Sequence, residues 1–229
     1  MTLPNEEVMA LLRDRFIVGH RNIERDSYVG LSHGYKSTQT AVGTTNGAGG
    51  RNVQLVVLAA DETVLHVLPG FWHAEDLVAE LGLALEIHRL HGEESMAPQT
   101  KLTMFEALHR SHLRRHGEAA RARSEWQGFD GHAELERSRR ESRDTIELDG
   151  KGQPVLKPML QVVHERLIAR PFRKLADFGM ESFVDYGRAY YDNNMGLDKG
   201  REFPRAVQQN QKRERAEAKA ERAAAPKKS

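Results

Sequence analysis

The sequence predicts a mixed α/β (α+β) fold, with a strand–turn–strand–helix unit near the front and a mostly α-helical region behind it. Three observations predict it. Val53-Gln54-Leu55-Val56-Val57-Leu58 is a short apolar run rich in β-branched residues, which suits a strand covered on both faces. Asp61 and Glu62 make a polar turn, residues 64–68 read as a second strand, and Pro69-Gly70 stops it. Residues 74–90 then place Leu77, Leu81, Ala84, Leu85 and His88 along one helical stripe, with Glu75 and Asp76 favouring the N-terminus.

The remaining elements follow in chain order. Asn5 is a good helix N-cap with acids behind it. Val8, Leu11, Leu12 and Phe16 recur at helical spacing, and Phe16-Ile17-Val18 reads as the start of a strand over residues 16–20. Tyr28, Leu31 and Tyr35 suggest a helical turn within residues 22–39. Residues 40–51, with Gly43, Gly47, Gly49 and Gly50, read as a loop. A polar break over residues 91–99, ending at Pro98, marks a domain boundary. Beyond it, residues 101–126 and 131–144 read as helices, 145–148 as a short strand, 149–152 as a turn and 159–169 as a helix ended by Pro171. Residues 182–191 are aromatic-rich, with Phe183, Tyr186, Tyr190 and Tyr191 at roughly helical spacing. The expected organisation is a first domain over residues 1–92, a helical extension over 93–203 and a charged tail over 204–229.

Composition limits the chemistry. The 229 residues are 39% hydrophobic and 29% charged, with a net charge of +1 and a mean hydropathy of −0.63. Such a chain suits a globular first part and a more solvated remainder. The near-zero charge gives no global argument for nucleic acid or membrane. No cysteine is present, which excludes disulfides, thiolate ligands and cysteine nucleophiles within the chain. No apolar run approaches the roughly 20 residues of a membrane-spanning helix, so no membrane partner is expected. Residues 1–7 lack the basic and apolar regions of a signal peptide, which leaves the compartment unset.

Two segments resemble a known family. Residues 2–23, TLPNEEVMALLRDRFIVGHRNI, look like the second half of a thioredoxin-like active-site helix with its following strand. Residues 52–81, NVQLVVLAADETVLHVLPGFWHAEDLVAEL, look like the hairpin and closing helix of the thioredoxin-like superfamily, with VLHVLPGFW matching a Gly-aromatic pattern after the second hairpin strand. The resemblance covers roughly residues 2–90. It implies a thioredoxin-type sheet that lacks its first strand and the Cys-x-x-Cys segment, and a parent activity of thiol–disulfide exchange on a protein thiol. Lacking a thiol, the chain as given is redox-inactive, and no catalytic residue is assigned. The resemblance places the substrate-side loop at Gly50, Arg51, Asn52 and Val53, where the family's cis-proline is absent. It also implies a gap between residues 16–20 and 53–59. Three ways to fill it are coding sequence ahead of Met1 carrying a Cys-x-x-Cys or selenocysteine motif, the strand at residues 145–148, or a second copy of the chain. The alternative reading is a non-catalytic thioredoxin-fold module that binds a protein partner.

Other residue groups each have a chemical reading and a simpler structural one. His109, His112 and His116 stand at i, i+3 and i+7 and share one helical face, a spacing that can ligate a metal. Arg110, Arg114 and Arg115 surround them and no carboxylate is interleaved, so the expectation is a solvated basic face, no metal and no cofactor. The loop over residues 43–50 leads into a strand rather than a helix, which argues against nucleotide binding. His66 and His73 have no acid partner by spacing and are expected to be surface or half-buried structural groups. Trp72 and Phe71 are expected in the core or an interface. Residues 201–229 carry nine basic against four acidic residues. This tail can add non-specific phosphate affinity, but a solubilising role is the expected one, which weighs against a nucleic-acid partner.

Overall fold

The structure, a computed structural model, describes residues 2–23, 53–116, 118–124, 126 and 128–185. Among these the fold is α+β: seven helices and two small antiparallel sheets of two strands each. Helix α1 (Glu6–Arg15) begins where Asn5 accepts hydrogen bonds from the backbone N–H groups of Glu7 and Val8, satisfying two donors that a helix start leaves open. Strands β1 (Gln54–Leu58) and β2 (Val64–Pro69) form a hairpin in which Val57 lies opposite His66. Its turn needs Glu62 in the left-handed region, φ 65°, while Asp61 accepts from the Thr63 N–H. Gly70, φ 80°, closes the other end by donating to the Val53 carbonyl.

Helix α2 (Ala74–Gly92) returns over the hairpin. Helix α3 (Pro98–Arg115) packs against α2, and the short α4 (Glu118–Ala122) and α5 (Gly128–Ser138) follow. Strands β3 (Ile146–Leu148) and β4 (Pro154–Leu156) form the second hairpin. Its turn is tied by Asp149, which accepts from the N–H groups of Lys151 and Gln153. Helix α6 (Met159–Ile168) packs on both β2 and α3. A 3₁₀ turn at Leu175–Asp177 and α7 (Met180–Phe183) end the described chain.

One apolar core joins Val8, Val67, Leu68, Trp72, Leu77 and Leu81 to Met159, Val163, Leu167, Phe178 and Phe183. It runs across the boundary expected between residues 92 and 93, because α6 supplies one wall. A second cluster holds Leu65, Leu83, Ile87, Leu90 and Phe105. Each fully buried aliphatic or aromatic side chain contributes about 1.5–3 kcal/mol. Two ion pairs pin the periphery. Arg123 meets Asp76 at 2.8 and 3.1 Å, and Arg166 grips Asp144 through two contacts of 2.7 Å.

Three expectations are corrected. Residues 16–20 form no strand: Ile17 is fully exposed and Val18 mostly so, and extended backbone without a ladder partner is left to water. The doubly covered strand is β2, buried at every position, whereas β1 is only half-buried. Residues 145–148 do not fill a gap beside β1, since β3 pairs with β4. The helical turn within 22–39, the glycine loop, Gly50, Arg51 and Asn52 of the substrate-side loop, the aromatic residues beyond Asp185 and the charged tail lie outside the described residues; Val53 is exposed next to β1. No helix among the described residues is long and apolar enough to cross a membrane.

Candidate metal centre

Strand β2 and the three helices α2, α3 and α6 each send polar side chains to the same interior point. His66 comes from β2, Glu80 from α2, His109 and His112 from α3 with His116 at its C-cap, and His164 from α6. Helical spacing explains the α3 set, because i, i+3 and i+7 fall on one face. That face is turned inward. His66, Glu80, His109 and His164 are completely buried, His112 nearly so, and His116 partly. The expected solvated basic face is therefore incorrect for these histidines. Arg110 instead points out to pair with Glu106 at 2.7 Å, and Arg114 and Arg115 are exposed. Water screens these arginines from the interior.

Glu80 is the hub. Its Oε2 lies 2.8 Å from His66 Nε2 and its Oε1 lies 3.0 Å from His112 Nε2. His164 Nε2 stands 3.3 Å from each carboxylate oxygen, and His116 Nε2 is 3.6 Å from Oε1. Two further contacts join ring nitrogens: His109 Nδ1 to His164 Nδ1 at 2.8 Å and His112 Nε2 to His116 Nε2 at 2.6 Å. Two imidazole nitrogens that close must share either a proton or a cation. Two buried ring nitrogens, His66 Nδ1 and His109 Nε2, have no hydrogen-bond partner.

Burial opposes charge on Glu80, but His164 and hydrogen bonds from His112 and His66 hold its carboxyl well below the usual range. Burial pushes His109 well down, with His164 and His66 adding to the effect. Burial also lowers His164, against the pull of Glu80, and lowers His116, with His112 adding to it. Burial thus favours the neutral form of His109, His116 and His164 beside an ionised Glu80 carboxylate. That is the protonation state in which these groups act as metal ligands. Two trios bring their ligand atoms within 4.8 Å of one another: His66, Glu80 and His164, and Glu80, His112 and His116.

Sequence reasoning found three of the six residues in His109, His112 and His116. It missed Glu80, His66 and His164. The missing carboxylate is not interleaved with the histidines because it arrives from a different helix, and His66 finds its acid 14 positions away across the hairpin-to-helix connection. A charged residue at position 80 inside the otherwise apolar segment Leu77–Leu83 was the available signal. His73 is only partly buried. Trp72 is core, donating from Nε1 to the Pro69 carbonyl at 2.9 Å.

A second buried carboxylate provides a contrast. Glu134 receives Arg143 at 3.0 Å, Arg137 at 3.1 Å and the Thr145 hydroxyl at 2.8 Å. Cations of the chain itself neutralise it, which is the pattern of a structural ion pair.

Comparison of the chain with protein-family models, with curated proteins and with solved structures finds no match.

Proposed function

We propose that this chain is a metal-binding protein whose Glu80 cluster holds a divalent first-row transition-metal cation. The observation that carries the reading is the convergence of four imidazole Nε2 atoms, of His66, His112, His116 and His164, on the one Glu80 carboxylate from four elements, in a network whose outer ring nitrogens His66 Nδ1 and His109 Nε2 stay unsatisfied. Each buried unsatisfied group costs about 1–3 kcal/mol, and packed apolar residues in place of such a network are often neutral or stabilising. Cation binding supplies the compensating free energy. The ligand set fits: imidazole with one carboxylate and no thiolate suits zinc, iron, nickel or copper rather than calcium or magnesium.

The test is direct. Chelator-treated protein is titrated with zinc, and bound metal is counted by elemental analysis beside a thermal melt. At least one equivalent and a raised Tm are expected for the native chain, with both lost in Glu80→Ala. Substoichiometric zinc without a change in Tm would sink the reading.

The hairpin and closing helix support a second reading, a thioredoxin-type module. Without cysteine this chain performs no thiol exchange by itself. Its role would be the redox-inactive part of an oxidoreductase or a protein-binding module. A thiol-reductase assay on this chain and on a version extended by its upstream coding sequence separates the two. Activity confined to the longer version favours the oxidoreductase, and inactivity of both favours the binding module.

A further inference from the structure

We propose that the Glu80 cluster is a two-cation centre, bridged by the Glu80 carboxylate, whose groove-side cation takes a small anion from solvent. This rests on the metal-binding reading above and extends it to the number of cations and to an exogenous ligand.

The imidazoles divide between the two carboxylate oxygens. His66 addresses Oε2 at 2.8 Å, while His112 at 3.0 Å and His116 at 3.6 Å address Oε1. His164 is equidistant from both oxygens at 3.3 Å, and it completes the trio with His66. One carboxylate with a different oxygen toward each histidine pair is the arrangement that bridges two cations about 3.5–4 Å apart. Each cation then has two imidazoles and one carboxylate oxygen. Three protein ligands are one fewer than a closed structural zinc site has, so each cation has room for a further ligand.

The two halves differ in access. The trio of His66, Glu80 and His164 is wholly buried. The other trio includes partly buried His116, and a surface groove beside it is lined by His112, His116, Glu86 and Arg115. Gly82 also lines the groove, and a Cβ there would meet nothing within 4 Å. His112 and His116 stand at the last turn and cap of α3, where the partial negative charge of the helix end favours a cation.

Charge explains the anion. Two dications against one carboxylate leave three positive charges uncompensated, and low-dielectric surroundings make that state costly. Anions must therefore join the centre, and the groove is the described path from solvent. Exposed Arg115 adds a positive rim that attracts them.

The test uses the full chain, stripped with chelator and titrated anaerobically with Co(II), with azide as the exogenous anion. Elemental analysis and visible absorption are expected to give two equivalents and a cobalt spectrum that azide shifts. His116→Ala should hold one equivalent and lose the azide response. His66→Ala should hold one equivalent and keep it. Circular dichroism on each variant checks that the fold persists, and the native stoichiometry needs no variant. Saturation at one equivalent overturns the two-cation centre while leaving the metal-binding reading intact. An azide response that survives in His116→Ala overturns the groove-side assignment. No cobalt uptake at all overturns the parent reading.

Discussion

The Nδ1 atoms of His109 and His164 lie 2.8 Å apart with both rings completely buried. Only one of the two can carry a proton there, so each ring fixes the tautomer of the other. For His164 to offer a lone pair at Nε2 beside Glu80, its proton must sit on Nδ1 and point at His109. His109 then carries its proton on Nε2, the nitrogen without a partner. His109 is thus a positioning residue for a ligand. His109→Phe keeps a ring against Phe105, whose centroid lies 4.5 Å away, but removes the acceptor. Zinc affinity, read by competition with a chromophoric chelator, should fall about 10–100-fold. The Tm of the metal-free protein should change little, since the unsatisfied His109 Nε2 disappears while His164 Nδ1 loses its partner. Unchanged affinity would show that His109 only fills space.

Glu80 combines structural and ligand roles, and the two separate experimentally. Without its carboxylate, the N–H groups facing it from His66, His112 and His164 lose their acceptor. Breaking a buried charged network by removing one partner costs about 3–5 kcal/mol. Glu80→Gln keeps one carbonyl acceptor and should lose less, which urea denaturation of the metal-free variants would show. A zinc concentration of about 100 times Kd should stabilise the native chain by about 2.7 kcal/mol, with little or no gain in Glu80→Gln. Equal zinc stabilisation of both would remove Glu80 from the ligand set.

The hairpin and α2 were legible because local chemistry writes them. Pro69-Gly70 ends β2, Asp61 builds the turn, and the Leu77–Leu81–Ala84 stripe faces the core. Helix α6 was legible for the same reason. The centre was legible only in the part that one helix spells, His109 to His116. Its other members are joined by tertiary packing: Glu80 and His164 are 84 positions apart. Composition favoured a solvated face because charges near in sequence were taken to be near in space. The helix instead splits them, arginines outward and histidines inward. The expected strand at residues 16–20 failed for a related reason. Apolar, β-prone residues specify extension, but a ladder needs a partner that sequence alone does not name.

Acid should loosen the α5–α6 side of the molecule. Burial works to raise Asp144 and Asp185, but Arg166 holds the first below its ordinary range and Arg137 the second. Carboxyls depressed in the folded state add stability that is complete above the unfolded value of about 3.9 and is lost as pH falls through the lower folded values. Asp144 is half exposed, so solvent screens its pair and the contribution is at most about 1 kcal/mol. Urea midpoints measured from pH 5 down to pH 2.5 should fall less steeply in Asp144→Asn/Asp185→Asn than in the native chain. Parallel slopes would show that these pairs are energetically silent.

The hairpin turn offers the opposite case, a substitution that should strengthen the fold. Glu62 is an exposed residue held at φ 65°. Left-handed backbone costs an L-residue about 1–2 kcal/mol, and glycine avoids that penalty. Glycine has its own entropic cost of about 0.5–1 kcal/mol in the unfolded chain. Glu62 enters the turn through its main chain, donating to the Ala59 carbonyl and accepting from the Leu175 N–H. Both survive in Glu62→Gly. The strain term exceeds the entropy term, so the variant should gain about 0.5–1 kcal/mol, seen as a higher urea midpoint at constant m-value. Glu62→Val should lose stability, because branching at Cβ makes the same φ harder to hold. A glycine variant no more stable than the valine variant would mean that the turn relaxes out of the left-handed region in solution.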